Sequence, residues 1–117
     1  MIKDLLTQNE GKTLEFKENC RSMQNIVRTA VAFANTAGGT LLIGVRDRTK
    51  EVIGVKDPLS DEERMSSAFA DSIIPTLIPE IRIVSWRDRE LIVVNIPHLV
   101  GPYYVGSEGP EEGVYIR

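Results

Sequence analysis

The sequence is poor in the residue types that build disulfide, zinc or membrane-spanning structures. Cys20 is its one cysteine, so no internal disulfide can form. His98 is its one histidine, and two soft ligands fall short of the four that structural zinc normally takes. No apolar run approaches the roughly 20 residues needed to cross a bilayer, and no signal-peptide pattern opens the chain. We therefore expect a soluble cytoplasmic protein without membrane contacts.

Excess positive charge is also missing. Lysine and arginine total 14 against 17 aspartate and glutamate residues, for a net charge of −3 at pH 7. A protein that coats nucleic acid through bulk charge is normally basic. Any nucleic-acid site must therefore be a local cluster of cations. The length of 117 residues suits one domain with a single core.

In the middle of the sequence a helical pattern changes to a strand pattern. Apolar residues first recur at intervals of three and four, at Met23, Ile26, Val27, Ala30, Val31 and Ala34. They then alternate from Leu41 to Val45. The intervening Gly38-Gly39 pair tolerates left-handed backbone, and Asn35 is predicted to cap the helix end. These patterns predict a helix at 22–36, a sharp turn, and a strand at 40–46.

The other patterns predict a second long helix and several strands. Ser60 and Glu63 form a candidate capping box, an apolar stripe runs from Met65 to Ile73, and Pro75 ends the helix. The other predicted elements are a short helix at 1–6, a loop at 101–112, and strands at 13–17, 51–54, 81–86, 91–96 and 114–117. This order indicates an α+β fold, with two helices packed on a largely antiparallel sheet. A strand at the very end of the chain favours a domain taken from a longer protein.

Three segments resemble one known family. Residues 33–45, Phe-Ala-Asn-Thr-Ala-Gly-Gly-Thr-Leu-Leu-Ile-Gly-Val, resemble the "FANT-GGTLLIGV" signature of the Schlafen AlbA_2 family. Residues 10–18 are similar to its opening "E-x-x-x-LEFK" strand, and residues 102–104 and 113–117 to its closing "PYY…YIR" segment. The resemblance implies an elaborated Alba-like (Schlafen-core) fold in one domain over residues 1–117. It also implies a place in a transcriptional regulator or RecG-related protein, with nucleic acid as partner, DNA more than RNA.

Six cations are candidate phosphate contacts. They are Lys12, Lys17, Arg46, Arg48, Arg87 and Arg89, which fall on the opening strand and on two predicted turns. Lysine and arginine bind backbone phosphates, and Trp86 or a tyrosine could stack on unpaired bases. Acidic residues interleave with these arginines, and aromatic residues more often pack in a core. Local charge balance thus decides whether such a surface binds nucleic acid.

Three carboxylates give an alternative from another class. The resemblance to Schlafen ribonucleases implies that Glu10, Glu15 and Asp47 form a metal-dependent endoribonuclease centre. Converging carboxylates can hold Mg²⁺ or Mn²⁺, which polarise phosphate and activate water. Glu15 beside Lys17 is also typical of an ordinary ion pair on a sheet face. Enzymatic activity therefore stays open, and outside this alternative no cofactor is expected.

The sequence also bears on a scaffold role and on nucleotide hydrolysis. The predicted edge strand at 114–117 could pair with another chain, which makes a homodimerising scaffold a third alternative. Gly11-Lys12-Thr13 resembles the tail of a phosphate-binding loop, but Leu6 stands where the leading glycine is required. The glycine pair follows a helix, whereas phosphate binds at a helix N-terminus, so nucleotide hydrolysis is not predicted.

Overall fold

The computed structural model describes residues 2–117, which form a four-stranded sheet with helices on both faces. The first half contains α1 (Ile2–Leu6), β1 (Leu14–Lys17), α2 (Met23–Thr36), β2 (Gly39–Ile43) and α3 (Pro58–Ser72). The second half contains β3 (Ile73–Ile74), β4 (Glu80–Trp86), β5 (Arg89–Ile96), β6 (Tyr104–Val105), a 3-10 turn (Gly106–Glu108) and α4 (Gly109–Glu112). No helix within residues 2–117 has the length and apolar character needed to span a membrane.

The strands of the main sheet lie in the order β1-β2-β5-β4. β1 and β2 are parallel, because α2 carries the chain back between them, and the other two pairs are antiparallel. β3 and β6 form a separate two-stranded sheet. The prediction of an α+β domain with two long helices on a largely antiparallel sheet is confirmed.

Both faces of the sheet are covered, since alternate side chains point to opposite sides. One cluster packs β2 and β5 against α2 and α3, and includes Leu41, Ile92 and Phe69. A second cluster packs the other face against α1, and includes Leu14 and Phe16. The predicted inward direction of these two β1 residues is confirmed. Glu15 and Lys17 consequently face the side of the sheet that α2 covers.

The glycine pair ends α2 as the sequence predicted. Gly38 has a φ of +72°, and its N–H donates to the carbonyl of Phe33 at 2.7 Å. A Cβ on Gly38 would lie 2.8 Å from the carbonyl oxygen of Ile96. Asn35 does not cap the helix, which corrects the prediction. Its amide instead binds backbone groups of Tyr103 (2.8 and 2.9 Å) and Tyr115 (3.0 Å).

The second long helix starts earlier than predicted. Asp57 is its N-cap and accepts a hydrogen bond from the backbone N–H of Ser60 at 3.2 Å, and Pro58 occupies the first turn. The capping box at Ser60 is therefore wrong, because aspartate before proline already satisfies the free amides of the first turn. The helix ends at Ser72, before Pro75, as expected.

Four other predicted segments differ in the structure. The predicted strand at 51–54 is only one bridge between Val45 and Val52. The predicted strands at 81–86 and 91–96 leave residues 87–90 as the link of a hairpin, but the structure has a two-residue turn, Arg87-Asp88, in which both residues have positive φ. The predicted loop at 101–112 contains β6 and α4. The predicted strand at 114–117 is not a strand, because side-chain contacts hold this segment in place of a backbone ladder.

Candidate nucleic-acid interface

An open cleft of about 830 Å³ lies between β1, α2 and the C-terminal segment 115–117. Its charged side chains are four cations and one carboxylate: Lys12, Lys17, Arg28, Arg117 and Glu15. Asn25 and Thr29 add polar groups from α2. The cleft is thus locally positive in a chain whose net charge is −3.

Glu15 holds two of these cations in place. Its carboxylate lies 3.0 Å from the Lys17 ammonium, is hydrogen-bonded by the Arg117 guanidinium, and accepts from the Thr29 hydroxyl at 3.3 Å. Burial raises the pKa of Glu15, but hydrogen bonds and positive charge from Arg117 and Lys17 together outweigh burial. The pKa therefore lies below its ordinary value, and the carboxylate is ionised at neutral pH.

Arg117 fastens the C-terminal segment to the floor of the cleft. Besides binding Glu15, its guanidinium donates to the carbonyl of Gly11 and lies 4.3 Å from the centre of the Phe33 ring. Its backbone N–H donates to the Thr36 hydroxyl at 2.9 Å. Its side chain is only 17% exposed, so this arginine both holds the C-terminal segment in place and contributes positive charge.

Arg28 forms the opposite wall with Tyr115 and Glu108. The guanidinium lies 3.1 Å from the Glu108 carboxylate and 5.5 Å from the centre of the Tyr115 ring. Tyr115 also donates its hydroxyl to Glu108. This hydrogen bond and, to a smaller extent, Arg28 lower the pKa of Glu108, while the same carboxylate raises the pKa of Tyr115. The wall is therefore a fixed, charge-balanced group.

The arginines of the predicted turns lie elsewhere, at one end of the sheet. The 44–54 turn meets the β4–β5 hairpin there, because Gly54 lies against the side chain of Arg89. Arg46 is neutralised by Glu18 at 3.1 Å and Glu51 at 2.9 Å. Arg87 lies 4.4 Å from the centre of the Trp86 ring. Acidic Asp47, Asp88 and Glu90 alternate with these arginines in the sequence, so the charge of this end is mixed.

The sequence profile of the Schlafen AlbA_2 family matches residues 10–117. This chain belongs to the Schlafen AlbA_2 family. One similar structure is the N-terminal domain of an ATP-dependent DNA helicase RecG-related protein from Nitrosomonas europaea, at 27% identity and a TM-score of 0.76. That match covers 97% of this chain and 86% of the other.

A second similar structure shares the fold. It is the DIP2311 protein of Corynebacterium diphtheriae, at 17% identity and a TM-score of 0.68. The match covers 91% of this chain but 23% of that protein. The Schlafen AlbA_2 domain here thus corresponds to a minor part of that longer chain.

The six predicted phosphate contacts of this Schlafen AlbA_2 domain fall into two groups. Lys12 and Lys17 line the cleft, and Arg46, Arg48, Arg87 and Arg89 lie at the end of the sheet. Within residues 2–117, Arg48, Arg87 and Arg89 are exposed and form no salt bridge. Of the aromatic candidates, Tyr103 is buried and Trp86 packs against the α1 side of the sheet, as the packing alternative predicted.

The three predicted nuclease carboxylates do not come together. Glu10 accepts a hydrogen bond from the backbone N–H of Phe16 at 2.7 Å, Glu15 is held by cations, and Asp47 lies in an exposed turn. No group of three or more histidine, cysteine, aspartate or glutamate side chains in residues 2–117 is arranged to hold a metal ion. This geometry does not fit an Mg²⁺ or Mn²⁺ centre. The expectation of RNA cleavage stays a prediction.

Arg28 and Arg117 are the cleft residues that sequence reasoning missed. Asn25, Arg28, Thr29 and Ala32 recur at helical spacing on the face of α2 away from the apolar stripe, so the helical period could have identified Arg28. Arg117 gave no such signal, because its partner Glu15 lies 102 positions away in the sequence. The remaining candidates are structural. His98 contacts the Ala34 carbonyl at 2.9 Å, and burial raises the pKa of the Cys20 thiol to about 12.

Proposed function

We propose that this Schlafen AlbA_2 domain binds nucleic acid, DNA in preference to RNA, by holding backbone phosphates in the cleft between β1 and α2. The observation that carries the proposal is the gathering of four cations at one cleft, where the Glu15 and Glu108 carboxylates balance only part of their charge, in a protein of negative net charge. Phosphate contacts of this kind supply most of the sequence-independent affinity for nucleic acid. The preference for DNA is supported by the likeness to the N-terminal domain of a DNA helicase RecG-related protein.

The cations of the cleft would act differently. Lys12 is exposed and forms no ion pair within residues 2–117, so its full charge is available to a phosphate. Lys17 and Arg28 each share their charge with one carboxylate. Arg117 is held by Glu15 and the backbone, and contributes through its field. Lys12 is therefore the main direct contact, and Lys17 and Arg28 are secondary ones.

The arginines at the end of the sheet form the second part of the proposed surface. Arg48, Arg87 and Arg89 would touch phosphates of a duplex that extends beyond the cleft. Arg46 would contribute less, because Glu18 and Glu51 already balance its charge. Because the charge of this end is mixed, we expect it to contribute a smaller share of the binding affinity than the cleft does.

The test is fluorescence anisotropy with a labelled DNA duplex and the RNA of the same sequence, across a series of salt concentrations. Lys12→Ala should weaken binding about three- to ten-fold at low salt and reduce the salt slope by about one. Lys3→Ala is the matched control, because Lys3 is an exposed lysine on α1, across the sheet from the cleft. Equal losses in the two variants would contradict the assignment to the cleft.

The same assay with Arg87→Ala plus Arg89→Ala measures the share of the sheet end. A smaller loss than for Lys12→Ala is expected. A larger loss would move the site to the hairpin while leaving nucleic-acid binding intact. If neither DNA nor RNA binds at low salt, the proposed function is refuted.

A further inference from the structure

The outer edge of β4 is a long unpaired backbone edge. β4 is the last strand of the sheet, and in residues 2–117 its seven residues pair with β5 alone. The opposite edge, β1, has four residues, and the Glu10 carboxylate already accepts the N–H of Phe16 there. An unpaired edge offers N–H and C=O groups to another strand. β4 is therefore the edge at which the sheet can grow.

The charges of β4 complement themselves in one antiparallel register. A two-fold axis through Ile81 places Glu80 of one copy opposite Arg82 of the other, and the reverse on the far side of the axis. Glu80 and Arg82 lie on the same face, are 65% and 45% exposed, and their charged groups lie 3.3 Å apart within one chain. Directly opposite residues of antiparallel strands have Cβ atoms about 4.5–5.5 Å apart. Two ion pairs across the axis are thus within reach.

The same register covers an exposed apolar side chain. Ile78, two residues before β4, is 80% exposed. In this register Ile81 falls opposite itself, and an extension of the pairing by two residues before β4 would bring Ile78 opposite Val84 of the second copy. Ile78 and Ile81 also border an apolar hollow of about 190 Å³ that Phe69 and Leu77 line. Pairing along β4 would therefore remove apolar surface from water as well as join charges.

We propose that a second copy of this chain pairs with β4 in this register, which joins the two four-stranded sheets into one two-fold symmetric sheet of eight strands. The occupant is a second copy because the complementary charges and apolar positions come from the same seven-residue stretch and its flank. The cleft lies beside β1, at the other edge of the sheet, and remains open in this arrangement. The inference is independent of nucleic-acid binding.

The test is sedimentation velocity over a range of protein concentrations, with charge-reversal variants. Wild type should form a dimer as concentration rises. Glu80→Arg alone and Arg82→Glu alone each place like charges opposite one another twice, and should weaken the dimer roughly ten-fold or more. The double variant Glu80→Arg plus Arg82→Glu restores opposite charges and should dimerise like wild type.

A mixture of the two single variants gives the sharpest result. Arginines of one variant then face glutamates of the other, so the mixture should associate at concentrations at which each variant alone stays monomeric. Both side chains are largely exposed, so circular dichroism melts should show wild-type folding in every variant. A wild type that stays monomeric at all concentrations, a dimer that single reversals leave unchanged, or a mixture that fails to associate would each overturn the proposal.

Discussion

Arg117→Ala should destabilise the domain far more than the loss of an ordinary surface arginine. The substitution removes a charge-assisted hydrogen bond to Glu15, a hydrogen bond to the carbonyl of Gly11, and the contact with the Phe33 ring. A hydrogen bond to a charged group contributes about 1.5–3 kcal/mol, and a cation–π contact about 0.5–2 kcal/mol. Lys17 still pairs with Glu15 in the variant, so we expect a loss of about 2–4 kcal/mol.

The matched control is Arg46→Ala. Arg46 also binds two carboxylates, but its side chain is 50% exposed, against 17% for Arg117. Exposed pairs contribute about 0–1 kcal/mol, so this variant should lose less than about 1 kcal/mol. Urea and thermal denaturation followed by circular dichroism measure both changes. At this size, about 1 kcal/mol corresponds to a shift of roughly 4 °C in Tm.

A double-mutant cycle with Glu15→Gln isolates the interaction between the two side chains. A coupling of at least about 1 kcal/mol between Arg117 and Glu15 is expected, because both are only 17% exposed. If Arg117→Ala costs no more than Arg46→Ala, or the coupling is zero, the C-terminal segment is not fastened as described.

Three more predictions follow from the same contacts. The pKa of Glu15 lies below its unfolded value of 4.5, so the contribution of its ionised form to stability is present above that pH and is lost as pH falls through the folded pKa. Glu15→Gln should therefore reduce the dependence of the unfolding free energy on pH in this acidic range, as measured by urea titrations at several pH values. Asn35→Ala removes two hydrogen bonds to the backbone of Tyr103 and one to that of Tyr115, and should cost about 2–3 kcal/mol in chemical denaturation. Gly38→Ala should cost about 2 kcal/mol or more in thermal melts, whereas Gly11→Ala, with open space around its Cβ position, should stay within about 0.5 kcal/mol of wild type.

Elements with a strong local signal were predictable from the sequence. The apolar period placed α2 to within one residue, and alternation identified β1, β4 and β5. Asp57 was overlooked because Ser60 and Glu63 offered an equally good local pattern three residues later. Aspartate and serine both favour the N-cap position, so the local sequence does not distinguish a helix start at Asp57 from one at Ser60.

The C-terminal segment was mispredicted for a different reason. Residues 114–117 have the composition of a strand, but their contacts come from Asn35, Thr36 and Glu15, which are remote in the sequence. Tertiary contacts of this kind override local preference. Charge balance is equally non-local, since Glu18 neutralises Arg46 from 28 positions away. The sequence could therefore name candidate cations but could not tell which of them keep their charge available.

Glu15 stabilises the cleft but also lowers its proposed affinity for phosphate. Four cations gathered on one side of a small domain repel one another, and that repulsion would oppose folding. The ionised carboxylate offsets it by binding Lys17 and Arg117 together. The same carboxylate repels phosphate, so it lowers the affinity of the site that it holds together. Lys12 forms no ion pair with Glu15, so its charge is not offset by this carboxylate. The binding proposal therefore depends most strongly on this one lysine.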